Sequence, residues 1–138
     1  MAFRRKTIGV NFPFQDSENG DYLQLTGTPE AEIRSDLIHL LLTKKGSRYM
    51  LPEFGTNLYQ YLFEPLDSIT TSKIENDIHD AVEKYIPSLK VNKIIILKFG
   101  DDGFDSSNDA SPHKIKIKLE YEITQRTFEF KDSVVISF

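Results

Sequence analysis

Between residues 114 and 123 charged and apolar side chains alternate without a break. Lys114, Lys116, Lys118, Glu120 and Glu122 are interleaved with Ile115, Ile117, Leu119, Tyr121 and Ile123. Successive side chains of a strand point to opposite faces, so this segment predicts a strand with one face in water and the other on a core. One-sided strands of this kind belong to antiparallel sheets whose apolar face is covered by something else. The rest of the chain has to supply the partners and the cover.

Candidate partners flank the alternating segment. Val91 to Phe99 is rich in Ile and Leu and reads as a strand buried on much of both faces. After a plausible tight turn at Gln125-Arg126, Phe128, Phe130, Val134, Ile136 and Phe138 continue on one parity. Asp132 shares that parity, which predicts a bulge or break near Lys131-Asp132-Ser133. Residues 100–112 are rich in Gly, Asp, Ser and Asn, with too little apolar content to pack, and read as a loop.

The cover comes from two amphipathic segments. Thr28-Pro29-Glu30 reads as an N-cap, a first helical residue and a dipole-favoured acid. Ile33, Leu37, Leu40 and Leu41 then form one stripe, with Gly46 expected as the left-handed stop. A second long helix is expected to begin between Ser68 and Ser72, capped by Ser68 or Thr70 or by a Ser72–Glu75 capping box. Its stripe is Ile74, Ile78, Ala81, Val82 and Tyr85, and Pro87 ends it. Between the two lies an irregular connector and a short helix from Asn57 to Phe63, closed by Pro65. Residues 1–27 read as an extended arm, because Ile8, Val10, Phe12 and Phe14 alternate with Gly9, Asn11 and Pro13. The expected fold class is α+β: two long helices and one short helix packed on a small antiparallel sheet. The arm (1–27) precedes a single domain (28–138).

Composition narrows the chemistry. The 138 residues hold no cysteine, which excludes disulfides, thiolate metal sites and thiol nucleophiles. A formal charge of −4, from 17 basic and 21 acidic residues, gives no reason to expect nucleic acid or an anionic membrane as partner. No apolar run approaches a membrane span, and the basic start is not followed by a signal core, so an unexported protein is expected. His39, His79 and His113 lack metal-ligand spacing, and Asp101-Asp102-Gly103-Phe104-Asp105 lacks the alternating ligands of a calcium loop. No cofactor is implied. Glu53 and Glu64, on either side of the short helix, are the one carboxylate pair that could serve glycoside hydrolysis. The plainer expectation pairs Glu53 with Arg48 in a turn. Phe54, Tyr59, Tyr61 and Phe63 are read chiefly as core, with partner anchoring as the alternative. Val134 to Phe138 is β-prone with nothing after it, so an open sheet edge is expected there.

The connector run Leu42-Thr43-Lys44-Lys45-Gly46-Ser47-Arg48-Tyr49-Met50-Leu51-Pro52-Glu53-Phe54-Gly55-Thr56-Asn57-Leu58, followed by Leu62-Phe63-Glu64-Pro65, resembles the baseplate wedge family of contractile phage tails. That family, also labelled "gene 25-like lysozyme", includes a component of type VI secretion baseplates. Thr43, Gly46, Arg48, Pro52, Phe54, Gly55, Leu58, Phe63 and Pro65 fit its pattern, and Gly9 to Phe14 resembles its opening. After the last helix the family carries aromatic-Glu-Pro-Arg, where this chain has Tyr85-Ile86-Pro87-Ser88; only the aromatic and the proline are kept. The charged contacts of that motif cannot form here.

The resemblance implies a fold related to the strand-exchanging domain of tail-sheath proteins, and a structural rather than enzymatic role as sheath initiator in the virion baseplate, after assembly in the host cytoplasm. Implied partners are the tail sheath protein, other baseplate wedge subunits, and baseplate hub or tube proteins. The wedge-docking set would be the nine matching residues with Glu53, Glu64, Tyr85 and Pro87. The sheath-contact edge would be Phe128, Phe130, Val134, Val135, Ile136 and Phe138. The alternatives are the same role in a type VI secretion baseplate, or a muramidase as the label suggests.

Overall fold

The structure, a computed structural model, describes residues 7–17, 22–98, 115–125 and 128–138. The expectations for the first six residues, most of the 16–21 turn, the 100–112 loop, His113, Lys114, Arg126 and the side chains of Phe128 and Phe130 lie outside the described residues. The elements in chain order are β1 (Gly9–Val10), β2 (Leu25–Thr26), α1 (Pro29–Leu42), α2 (Leu58–Tyr61), α3 (Ser68–Tyr85), β3 (Leu89–Lys98), β4 (Ile115–Gln125) and β5 (Phe128–Ser137).

α1 begins as its sequence dictates. Thr28 is extended and its Oγ1 accepts the Ala31 N–H at 3.4 Å, with Pro29 next and Glu30 and Glu32 at the positive end of the dipole. Its end differs from the expectation. Thr43 turns extended, and its N–H and hydroxyl both donate to the His39 carbonyl, at 3.1 and 2.6 Å. Thr43 therefore stops the helix before Gly46, whose positive φ of 88° serves the following turn instead.

α3 starts at Ser68, but its cap is Asp67, whose Oδ1 accepts the Thr70 N–H at 2.8 Å. Ser72 lies inside the helix, where its hydroxyl donates to the Ser68 carbonyl at 2.9 Å, so the Ser72–Glu75 box does not form. α2 is a single turn, shorter than the expected Asn57–Phe63, because Leu62 and Phe63 already turn toward Pro65.

The main sheet has the order β3-β4-β5, antiparallel throughout. On β4, Ile115, Ile117, Leu119, Tyr121 and Ile123 are buried under α1 and α3, while Lys116, Lys118, Glu120 and Glu122 lie on the other face. Leu37, Leu40, Leu41, Ile74 and Ile78 complete the core. The bulge expected near Lys131–Ser133 is absent, since β4 and β5 stay in register from Gln125↔Phe128 to Lys116↔Ser137. Asp132 keeps its place on the packed face because it is satisfied there. The Tyr121 hydroxyl donates to its Oδ2 at 3.1 Å, and Arg34 of α1 reaches the same oxygen at 3.5 Å. The register slip falls instead in β3, between Val91 and Lys93. β3 is an edge, and Ile94 to Leu97 are half-buried rather than enclosed on both faces.

The N-terminal segment doubles back as the β1–β2 ribbon, with Gly9 opposite Thr26, and lies on α1. Buried Ser35 of α1 joins the two: its hydroxyl accepts the Phe12 N–H and donates to Asn11 Oδ1, both at 3.2 Å. Thr26 donates its hydroxyl to the Glu32 carboxylate of the same helix.

Candidate functional site

The connector between α1 and α2 is a closed loop. Lys44 and Thr56 form a parallel bridge; the Thr56 N–H donates to the Thr43 carbonyl at 2.9 Å and the Lys45 N–H to the Thr56 carbonyl at 3.1 Å. Thr56 is wholly inaccessible, and its hydroxyl donates at 2.9 Å to the Leu41 carbonyl in the last turn of α1. At Gly55 φ is +111°, and a Cβ there would stand 2.3 Å from the Thr43 oxygen. Gly46 donates its N–H to the Pro52 carbonyl at 2.7 Å, closing the outer turn. From α3, Asp77 accepts the Asn57 N–H at 2.7 Å and faces Lys45 at 3.7 Å. Thr43, Gly46, Pro52, Gly55 and buried Leu58 thus shape and seat the loop.

A row of rings runs behind the connector. Phe14 meets Phe12 (5.3 Å between centroids), Phe12 meets His39 (5.2 Å), His39 meets Phe54 (5.7 Å) and Phe54 meets Tyr85 (5.0 Å). Arg48 lies 4.5 Å over the Phe54 ring and Lys84 5.4 Å over Tyr85. The expected Arg48–Glu53 pair does not exist. Glu53 instead accepts from Lys84 near the end of α3 at 2.5 Å, while the Arg48 guanidinium lies over Phe54. That hydrogen bond, with the Lys84 charge, holds the Glu53 carboxyl below its ordinary range.

The aromatic cluster, expected chiefly in the core, divides. Phe54 is buried and Tyr61 half-buried, Tyr59 stacks edge-on against Phe138 at 5.2 Å, and Phe63 is 91% exposed. A single turn of helix has one inner side, so it cannot bury aromatics at all of these positions. Tyr49, at 96%, and Met50, at 86%, are also exposed at the tip of the connector, and Glu64, Pro65 and Pro87 lie on the surface.

At the sheet edge, Phe138 and Ile115 exchange both backbone hydrogen bonds, at 2.9 and 3.3 Å. With an unbroken register this fixes the parity: even-numbered residues of β5 turn their N–H and C=O to β4, and odd-numbered ones turn them outward. Val134 and Ile136 are core side chains, whereas Val135 is 60% exposed. The outward N–H of Ser133 is already taken by Asp132 Oδ1 at 2.8 Å. The free stretch of edge therefore begins at Val135. The Tyr59–Phe138 contact brings this edge and the connector side together.

Sequence reasoning missed Phe12, His39, Asp77 and Lys84 as parts of the site. A His on the exposed side of an amphipathic helix carries no local sign that rings from two distant segments will flank it. Among the described residues no cluster of acidic and His side chains could hold a metal ion, and no helix is long and apolar enough to cross a membrane.

The family model described as baseplate wedge protein gp25 matches residues 28–127. A curated relative, baseplate wedge protein gp25 of Enterobacteria phage T4, is 34% identical over 70 residues, 51% of this chain and 53% of that protein. The match thus spans about half the length of this relative. Among solved structures, one named as a tail lysozyme from Geobacter sulfurreducens has a TM-score of 0.63 at 22% identity, covering 82% of this chain and 92% of its own. A chain of the anti-feeding prophage baseplate gives 0.58 at 18% identity, covering 91% and 81% respectively. A chain of the contracted pyocin R2 baseplate gives 0.51 at 15% identity, covering 91% and 96%. These three likenesses concern the fold.

Proposed function

The chain belongs to the baseplate wedge protein gp25 family of contractile tail systems, and on that premise we propose that it is a structural wedge subunit that starts the tail sheath. The connector, with Tyr49, Met50 and Phe63 outward, docks on other wedge subunits and faces the hub or tube. The outer edge of β5 receives an extended strand from the first sheath subunits, main-chain hydrogen bonds giving affinity and alternation giving register. The observation that carries this reading is the outward-facing backbone at Val135, on a strand whose even-numbered side chains are committed to the core. A domain related to the strand-exchanging part of sheath proteins suits the same role.

The test is Val135→Pro. Proline at this position removes an N–H that β4 does not use, so the fold should persist. Baseplates carrying it should assemble without nucleating sheath. Normal sheath on Val135→Pro baseplates would sink the edge mechanism. Deleting residues 127–138 is a poorer experiment, because it removes Val134 and Ile136 from the core.

A muramidase would have to take its general acid from a residue other than Glu53. A general acid needs a carboxyl raised toward neutrality, and Glu53 is displaced the other way by Lys84. Mass spectrometry of what co-purifies with the tagged chain decides between phage tail and secretion baseplate: tail sheath and wedge proteins for the first, secretion components for the second.

A further inference from the structure

Beside the ring row lies a groove of about 320 Å³ between α1, the connector and the end of α3, with Asp36, Arg48, Leu51, Phe54, Tyr85 and Ile86 among its lining residues. We propose that this groove receives an Asp or Glu side chain of a neighbouring baseplate subunit, gripped by Arg48 and flanked by apolar residues of that partner. The inference rests on the docking role above and names the chemistry of what docks.

Three observations carry it. The neighbouring cations are spoken for, Lys45 by Asp77 and Lys84 by Glu53, whereas Arg48 has no carboxylate among the described residues. Its guanidinium is nonetheless held in place. It lies 4.5 Å over Phe54, a ring itself braced by His39 and Tyr85, and no hydrogen bond or ion pair among the described residues occupies its N–H groups. A guanidinium restrained on a ring can take a carboxylate through two parallel hydrogen bonds and loses less side-chain freedom on binding than a free one.

The third observation is the apolar surround. Buried Ile86 and half-exposed Leu51 line the groove, and Tyr49 and Met50 project beside it. Such a rim excludes water around a charge-assisted pair and suits an acidic residue set among apolar ones. Tyr85 adds a buried hydroxyl that no group meets with full hydrogen-bond geometry, Lys84 interacting with it by charge and a weak hydrogen bond. Asp36 lines the groove without bonding Arg48, and burial together with Glu32 already raises its proton affinity.

The test replaces Arg48 by Gln and by Lys in the complete chain, co-expressed with the other baseplate subunits, and measures their recovery on the tagged chain. Arg48→Gln should weaken recovery roughly 30-fold or more, and Arg48→Lys should restore only part of it, because an ammonium cannot make the bidentate contact. Both variants should unfold near the wild-type midpoint in urea. A second readout is modification by p-hydroxyphenylglyoxal: Arg48 should react in the free chain and be protected in the assembled baseplate. Wild-type recovery by Arg48→Gln, or equal modification of Arg48 free and assembled, would overturn the proposal. If the wild-type chain recovers no baseplate subunit, the docking role fails and this inference falls with it, an outcome distinct from a partner that binds without Arg48.

Discussion

Gly55 is pressed against the carbonyl of Thr43, so closely that the loop between them has no room for a side chain at its base. The two residues sit at opposite ends of the connector, and the contact is what brings the end of α1 next to the start of α2. Gly46 also has a positive φ, but a Cβ there would meet open space.

The two glycines should therefore respond differently to substitution. Gly55→Ala combines backbone strain with a clash and should cost about 3 kcal/mol. Gly46→Ala adds only the left-handed penalty, about 1 kcal/mol. Urea unfolding of the two variants against wild type measures both. Equal losses would mean that the Gly55–Thr43 contact does not close the loop.

Tyr121 should make the protein sensitive to alkali. Burial, reinforced by the Asp132 charge, pushes its hydroxyl above the ordinary 10.0. The native state then keeps a proton that the unfolded chain releases, so this contribution is complete below pH 10 and is lost as pH rises beyond it. Tyr121→Phe should cost about 1 kcal/mol at neutral pH and flatten the alkaline decline. Tyr61, raised mainly by burial, leaves a residual slope. Urea midpoints at several pH values from 7 to 11 give the slopes, and an unchanged decline in Tyr121→Phe would contradict the assignment.

Asp67 works in the opposite direction. Its hydrogen bond from Thr70 lowers its pKa below the ordinary 3.8, so the stabilisation is present above that value and disappears as pH falls through the lowered one. Asp67→Asn keeps a capping acceptor but cannot titrate, and Asp67→Ala removes both. Thermal unfolding from pH 7 to pH 2 should show the acid-dependent part shrinking in both variants, and a lower midpoint at neutral pH in the alanine variant alone.

Among the aromatics, Phe54 and Phe63 should separate stability from assembly. Phe54→Ala empties a core position braced by His39 and Tyr85 and should cost about 3 kcal/mol. Phe63→Ala alters an exposed ring and should stay within about 0.5 kcal/mol of wild type. The second variant should nonetheless lose recovery of wedge subunits; full recovery would remove Phe63 from the docking surface.

Periodicity made much of this fold legible. The alternation on β4, the stripes of α1 and α3 and the Thr28-Pro29 start are local patterns enforced by local geometry, and they reappear in place. The helix ends were misread locally, where Thr43, Asp67 and Leu62 won over neighbouring candidates, whereas the failures in the sheet and connector involve partners far away in sequence. Asp132 looked like a break in β5 because its pattern cannot reveal Arg34, on a helix 98 residues earlier, or Tyr121 on the neighbouring strand. The slip at Asn92 has no glycine or proline to announce it. Glu53 was matched with Arg48 by proximity in sequence, while three-dimensional proximity gave it Lys84. In the site itself, the family resemblance picked out Thr43, Gly46, Pro52 and Gly55, and the structure adds the mechanical reason for each.

β5 is held from Asp132 onward. Asp132 ties it to Tyr121 and Arg34, Val134 and Ile136 root it in the core, and Phe138 is bonded to Ile115 and stacked on Tyr59. A strand so anchored is better placed to serve as a template for a neighbour than to be lent to one. A polymer whose members each give and receive a strand has no natural first member. In the proposed sheath-initiating role, a subunit that only receives one would supply a beginning, and with it a single direction in which the structure can grow.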